Sequence, residues 1–403
     1  MSVPSIGPDS SSTRVHVLDF IRLAAMLLMV QGHTLDALVD PARMDVTSLP
    51  WSAWVDLRGL TAPMFMMISG AATVLGIRYD PCGRLSRAML WHRVRIACTV
   101  IAIGYLMVFP AHRLADLRWV PTDGWRSFLK VNILQANGVT LLLLTALLCC
   151  ARTVRRYAAF SLGAGLLILL AAPLGAQVPW FRLLPEGLAA YLSFDHGSLF
   201  PLLPTSAYMF LGAGLGALLL ETPGPRRVRV FRLACLGAGA ASLLVSLLAA
   251  HAPWALLPPE KAYQGAYAYT SARLGFALLA FGLLAWAAER SPGLAAACAP
   301  LGRRSLFVYV CHLAVIYGTP WTPGLTSRWF HVMTVGQGLL GVALVGGLTY
   351  GAMQAWDGIR SHSRQLEALV GAAAALSMVC VLVWGLDARA VVLGWLMAVP
   401  VVG

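Results

Sequence analysis

The chain has 403 residues, of which 59% are hydrophobic and only 12% charged, and its mean hydropathy is +0.73. A soluble protein of this length needs a more polar coat, so the composition excludes a soluble enzyme and indicates an all-α polytopic membrane protein. The net charge of +13 comes from 30 basic residues, almost all arginine and clustered in short loops, and no continuous basic face is left outside the apolar spans to take nucleic acid as a partner.

Residues 1–16 open as MSVPSIGPDSSSTR, a polar stretch rich in Ser and Pro without the basic n-region and short apolar core of a cleavable signal. They read as a tail, and the first helix as its own signal-anchor. Apolar runs predict helices near 17–39, 57–77, 89–109, 128–150, 157–174, 199–220, 230–250, 267–288, 305–319, 334–356 and 366–386. About eleven transmembrane helices in a single integral domain over 17–403, embedded in membrane lipids, are therefore expected. The last apolar run, 390–403, is short for a hydrocarbon core of about 30 Å and reads as a half-span or a twelfth helix.

Short cytoplasmic loops retain Arg and Lys. With the N-terminus inside, they carry Arg78, Arg84, Arg87 and Arg93, then Arg152, Arg155 and Arg156, then Arg226, Arg227 and Arg229, then Arg290, Arg303 and Arg304, then Arg360 and Arg364. One connection runs against the pattern: 111–130 holds Arg113, Arg118, Arg126 and Lys130 against Asp116 and Asp123. The expectation is an inner (plasma) membrane protein with a cytoplasmic N-terminus. Segments 176–198 and 251–266, rich in Pro, Trp and Tyr, then lie outside, either receiving a substrate or anchoring at the interface. The eight cysteines show no metal-ligand spacing, so neither a disulfide framework nor a bound metal is expected.

The first helix, VLDFIRLAAMLLMVQGHTLDALV, carries ionisable residues on one stripe. From Arg22 to His33 is three turns plus about 20°, which puts both on one face about 16 Å apart along the axis. Asp19 precedes Arg22 by one turn and Asp36 follows His33 by one turn. A charge held in hydrocarbon costs at least ~2.5 kcal/mol, so the stripe predicts a polar cavity. The alternative is that each pair sits at its own membrane interface. In a cavity, Arg22 suits a phosphate-bearing cytoplasmic donor and His33 suits proton transfer near neutral pH.

Further candidates follow along the chain. Asp36 either fixes the tautomer of His33 or pairs with Arg58 at the head of the next helix. Ser69 in MFMMISG either lets helix backbones approach closely or donates a hydrogen bond into the cavity. Gln135 and Asn137 are expected to join helices by hydrogen bonds. Arg273 either holds a donor phosphate or pairs with a carboxylate such as Asp19. Ser305, Tyr309 and His312 share one face of the ninth span.

DFIR followed ten residues later by His, LTAPMFMMISG and LGRRSLFVYVCH resemble the Arg-x10-His, F-x-x-SG and G-x-x-S-x-x-x-Y-x-x-H segments of the membrane acyltransferase-3 family. The opening and the TAP-x-F-x-x-x-SG form are similar to bacterial relatives of heparan-α-glucosaminide N-acetyltransferase in the same superfamily, with ILQANGVTLLL and FPLLPTSAYMFLGAGLG resembling its middle helices. The resemblance implies a transmembrane acyltransferase-like bundle. It would move an acyl group, acetyl first among them, from cytoplasmic acyl-CoA (acetyl-CoA) as co-substrate to a hydroxyl or amine of a carbohydrate or glycolipid acceptor. His33 would be catalytic with Asp36, Arg22 with Asp19, Arg273 and Ser69 would hold the donor, and Arg58, Tyr309 and His312 would face the acceptor. The stretch Pro41 to Trp54 contains no His, which leaves His33 as the candidate in this region. The rival reading is a transporter or exporter of a small anionic solute, with the same stripe lining a permeation path; no evident inverted repeat supports it.

Overall fold

A computed structural model describes residues 16–224, 226–251 and 266–385. The polar tail ahead of His16, most of the expected outer segment 251–266 and the apolar run 390–403 lie outside the described residues. The chain opens with α1 (His16–Leu38), then α2 (Trp51–Gly59), α3 (Thr61–Val74), α4 (Arg87–Met107), α5 (Thr122–Leu129), α6 (Ile133–Ala151) and α7 (Val154–Gln177). Two one-turn helices, α8 (Trp180–Leu183) and α9 (Glu186–Ala189), lead into α10 (Leu202–Glu221), α11 (Arg226–Ala250), α12 (Tyr267–Arg290), α13 (Pro292–Gly302) and α14 (Ser305–Ile316). A ribbon of β1 (Gly318–Thr319) on β2 (Thr322–Pro323), α15 (Thr326–Trp329), α16 (Val335–His362) and α17 (Arg364–Trp384) complete the described chain. Local sequence explains several starts: Ser86 caps α4 through the Met89 amide, Thr153 caps α7, and Thr334 with Gln337 forms a reciprocal capping box on α16.

Nine of these helices are long and apolar enough to cross a membrane, or ten if the bent pair α13 and α14 counts as one span. The expected eleven are reduced at two places, each with a local cause. The predicted helix 57–77 is split at Leu60, leaving α3 with 14 residues, about 21 Å long. Pro63 has no amide hydrogen, so the carbonyl of Gly59 receives no bond from the residue four ahead and the helix cannot run through. The predicted span 305–319 is the second half of a broken one, since α13 and α14 meet at 62°. Gly302 lies against the backbone of Asp19, where a side chain would not fit, and Gly318 ends the segment at φ +81.

The core is built on small residues that let backbones touch. Gly70 of α3 abuts the Met209 carbonyl of α10, and Gly212 and Gly216, one turn apart in the LGAGLG run, abut the backbones of Met67 and Ala71. On the other side α10 packs on α7, and α11 packs on α12 with Gly239 and Gly275 facing each other and Arg232 bonded to Glu289 at 2.6 Å. Without a hydrophobic drive between helices in lipid, such close backbone approach supplies the packing energy.

Contacts between helix ends separate the bundle into two poles. At one, Arg155 pairs with Glu221 (3.2 Å), Arg304 with Asp357, and the Asp19 backbone meets Gly302. The loops and helix ends at this pole carry the basic set expected inside. At the other, Asp36 pairs with Arg58, the Val131 amide bonds Ser198, Trp321 donates to the His112 carbonyl (2.9 Å), and Met333 exchanges hydrogen bonds with the end of α1. The discordant connection 111–130 lies at this second pole, where its charges are partly matched: Arg113 binds Asp116 (2.9 Å) and Arg126 binds Asp123 (3.5 Å). The bonds from Arg113 hold the exposed Asp116 carboxyl below its ordinary range.

Candidate active site

A cavity of about 830 Å³ opens at the second pole. Its wall is drawn from the ends of α1, α3, α4, α6, α10 and α12 at that pole, and from α14 along its length. On α1 and α4 it reaches down to Met29 and Ile96, about 14 and 16 Å from the helix ends, so it spans about half of a bilayer core.

Met29, His33 and Asp36 line it at helical spacing, so the second half of the predicted stripe on α1 faces this space. His33 bonds to no described residue and packs its ring 5.5 Å from the ring of His312 and 6.1 Å from that of Tyr317. Of the two roles open to Asp36, the structure selects the ion pair with Arg58. That arginine is positioned from two sides. Its guanidinium lies over Trp54 at 5.0 Å, and its aliphatic stem rests on Gly32, where a Cβ would come within 2.9 Å of its Cγ.

His312 does not line the cavity; it backs His33 and is fully buried. Its Nδ1 lies 2.7 Å from the Val308 carbonyl, which can only accept, so Nδ1 carries the proton and Nε2 is left as an acceptor. That buried Nε2 has no partner among the described residues. Ser305 and Tyr309, on the neighbouring stripe of α14, do reach the cavity, and Tyr309 stands edge-on to His312 at 5.7 Å.

Arg273 and Ser69 also line the wall. The expected alternative partner of Arg273, Asp19, is excluded by distance along the bundle, because Asp19 is bonded to Arg22 at 2.9 Å at the opposite pole. Arg273 instead donates to the Gly59 carbonyl that Pro63 leaves free, and its guanidinium lies 4.7 Å over the Tyr269 ring. Beside Ser69 it is Gly70 that makes the close helix contact, leaving the hydroxyl side to the cavity. Arg22 and Asp19 do not line this cavity: Arg22 lies about 10 Å further along α1 than Met29, beyond the buried Met26.

Gln135 and Asn137 depart from expectation. The expectation is that they tie helices together, but both amide atoms of Gln135 and Oδ1 of Asn137 are buried without a partner among the described residues, and both residues border the cavity. Gly104 of α4 makes the room, since a Cβ there would come within 2.9 Å of the Gln135 amide. The sequence signal was present in the polar pair itself; what it did not reveal was that α4 supplies no group to meet it. Orphaned buried amides cost about 1–3 kcal/mol. Gln135→Leu is accordingly expected to raise the thermal unfolding midpoint of the purified protein, and a lower midpoint would show that the amide is satisfied.

The cavity thus gathers an imidazole with a second imidazole behind it, an Arg–Asp pair one turn away, an arginine docked on backbone, and unspent amide groups. Such a set can exchange a proton and hold a polar, partly anionic molecule. A family model described as an acyltransferase domain matches residues 15–353, taking in every residue of this cavity. No curated protein matches the chain. The match covers well over half of the sequence and carries both motif helices, α1 and α14, so this chain belongs to the acyltransferase-3 family of multi-pass membrane acyltransferases.

Proposed function

We propose that the protein transfers an acyl group, acetyl in the first instance, from cytoplasmic acyl-CoA to a hydroxyl or amine of a carbohydrate or glycolipid taken from the outer face of the inner membrane. The observation that carries this reading is the placement of His33 on the wall of a cavity at the pole opposite the arginine-rich loops. Those loops mark the cytoplasmic side, N-terminus included. The acceptor then enters from outside through the cavity mouth, and the donor approaches from the pole of Arg22.

As general base, a ring nitrogen of His33 takes the proton of the acceptor hydroxyl while its oxygen attacks the thioester carbonyl carbon. The C–O bond forms, the C–S bond breaks, and the imidazolium returns the proton to the CoA thiolate. As acyl carrier, the same nitrogen attacks first, expels CoA and passes the acyl group on from an acyl-imidazole. His312, its ring 5.5 Å from that of His33, backs that ring against the cavity and so positions it. Arg22, released from Asp19, takes donor phosphate, and the acyl arm passes Met26 and Met29, side chains flexible enough to repack around it.

The test is to incubate purified protein with labelled acetyl-CoA and envelope glycans, following CoA release and the label gained by each glycan. Release coupled to labelling is expected; neither, with any glycan, would reject acyl transfer. Arg22→Ala is expected to weaken acetyl-CoA binding at least tenfold by calorimetry, and an unchanged affinity would remove that residue from the donor site.

A further inference from the structure

The titratable groups on the cavity wall do not balance. Asp36 is matched by Arg58, while Arg273 makes no ion pair among the described residues. It stands on a membrane-spanning helix, about 9 Å inside the end of α12, where an unmatched cation is costly and marks a functional position. One of its five N–H groups is spent on the Gly59 carbonyl and its ring-facing side on Tyr269, which orients the rest of the planar fork. Gly59 follows Arg58 in the chain, so two guanidinium groups are anchored at adjacent residues of one backbone. They face a cavity whose described lining carries a single carboxylate, Asp36.

We propose that Arg273, docked on the Gly59 carbonyl, forms with Arg58 an anion subsite for an acidic group of the acceptor, a carboxylate or a phosphate, held while a neighbouring hydroxyl is presented to His33. This rests on the acyl-transfer reading and adds the substrate class. The guanidinium fork matches two oxygens of either acid. Arg58 links the subsite to the reacting end, because its partner Asp36 is one turn from His33 on α1. The acceptor is favoured over the donor as the source of the anion because Arg273 lies at the pole away from the arginine-rich loops, where the CoA phosphates would have to cross the bundle to reach it.

The experiment measures binding to the purified full-length protein by calorimetry without any acyl-CoA, using D-glucuronate, inorganic phosphate and D-glucose as probes. Glucuronate and phosphate are expected to bind at least tenfold more tightly than glucose. Arg273→Gln should lose that advantage, and Arg273→Lys, which keeps the charge but not the fork, should lose several-fold. Equal binding of glucuronate and glucose, or anion affinity unchanged in Arg273→Gln, would overturn the subsite. If Arg273→Gln does not fold, the lysine variant decides alone, and an unaltered anion affinity in it counts against the fork. A separate titration with acetyl-CoA alone distinguishes the sources: if Arg273→Gln weakens it tenfold and leaves glucuronate untouched, the anion is the donor's phosphate and the proposal falls. Because the glucuronate, phosphate and glucose titrations contain no donor, a protein that transfers no acyl group still passes or fails them.

Discussion

Replacing His33 by alanine is expected to lower kcat for acyl transfer by about 10² to 10⁴, the range of a positioned general base, while the thermal unfolding midpoint moves little. The small structural effect follows from its place: the ring is part of a cavity wall and bonds to no described residue, so its loss leaves no buried partner stranded. His312 offers the contrast. It is fully buried and tied to the Val308 carbonyl, so His312→Phe is expected to reduce kcat with little change in the acceptor KM, at some cost in stability. CoA release without acceptor separates the two chemistries at His33. One equivalent released, absent in His33→Ala, identifies an acyl-imidazole; none identifies a base. Full activity in the alanine variant would end the assignment of this residue.

The largest structural effect is expected at Gly70. Its Cα lies against the Met209 carbonyl, so an alanine Cβ would overlap backbone, which cannot swing aside as a side-chain tip can. Gly70→Ala should cost about 3 kcal/mol, the upper end of typical overpacking, by forcing α3 from α10 over their whole contact. Gly163 on α7 is the control, because a Cβ there meets nothing within 4 Å. Gly163→Ala should stabilise by up to about 1 kcal/mol through helix propensity alone. Thermal unfolding of the two purified variants checks both signs. If Gly70→Ala unfolds with the wild type, α3 and α10 do not meet as described. The same contact positions the site, since α3 carries Ser69 and Pro63, and the break that Pro63 causes fixes where Arg273 docks.

Burial separates two kinds of polar residue in the bundle. The Arg22–Asp19 pair satisfies itself within one turn, so it is stable without any ligand. Among the described residues the amide of Gln135 and Nε2 of His312 have no hydrogen-bond partner and Arg273, though bonded to the Gly59 carbonyl, has no ion pair, and all three lie at or beside the cavity. Elsewhere Thr34, Thr140 and Thr145 are each bonded one turn back on the backbone, while Trp54 Nε1, Ser161 Oγ and Thr349 Oγ1 are also buried without a partner among the described residues, so the orphaned groups include the cavity but are not confined to it.

By itself the sequence determined the membrane class, the course of most helices and the stripe on α1. Each of these depends on local quantities: transfer free energy summed over about 20 residues, and a 3.6-residue period that assigns faces. The arginine-rich connections were legible for the same reason, and they fall at one pole of the bundle. Only the tertiary structure decided which stripe positions share a space. His33 and Asp36 reach the cavity and Arg22 does not, because the intervening Met26 is packed against neighbouring helices. It likewise decided that Asp36 takes Arg58, that Gln135, facing Gly104, meets no partner among the described residues, and that Arg273 bonds a carbonyl 214 residues away. Periodicity states the direction a side chain leaves its own helix; what stands there is set by the docking of other helices, which no local pattern encodes.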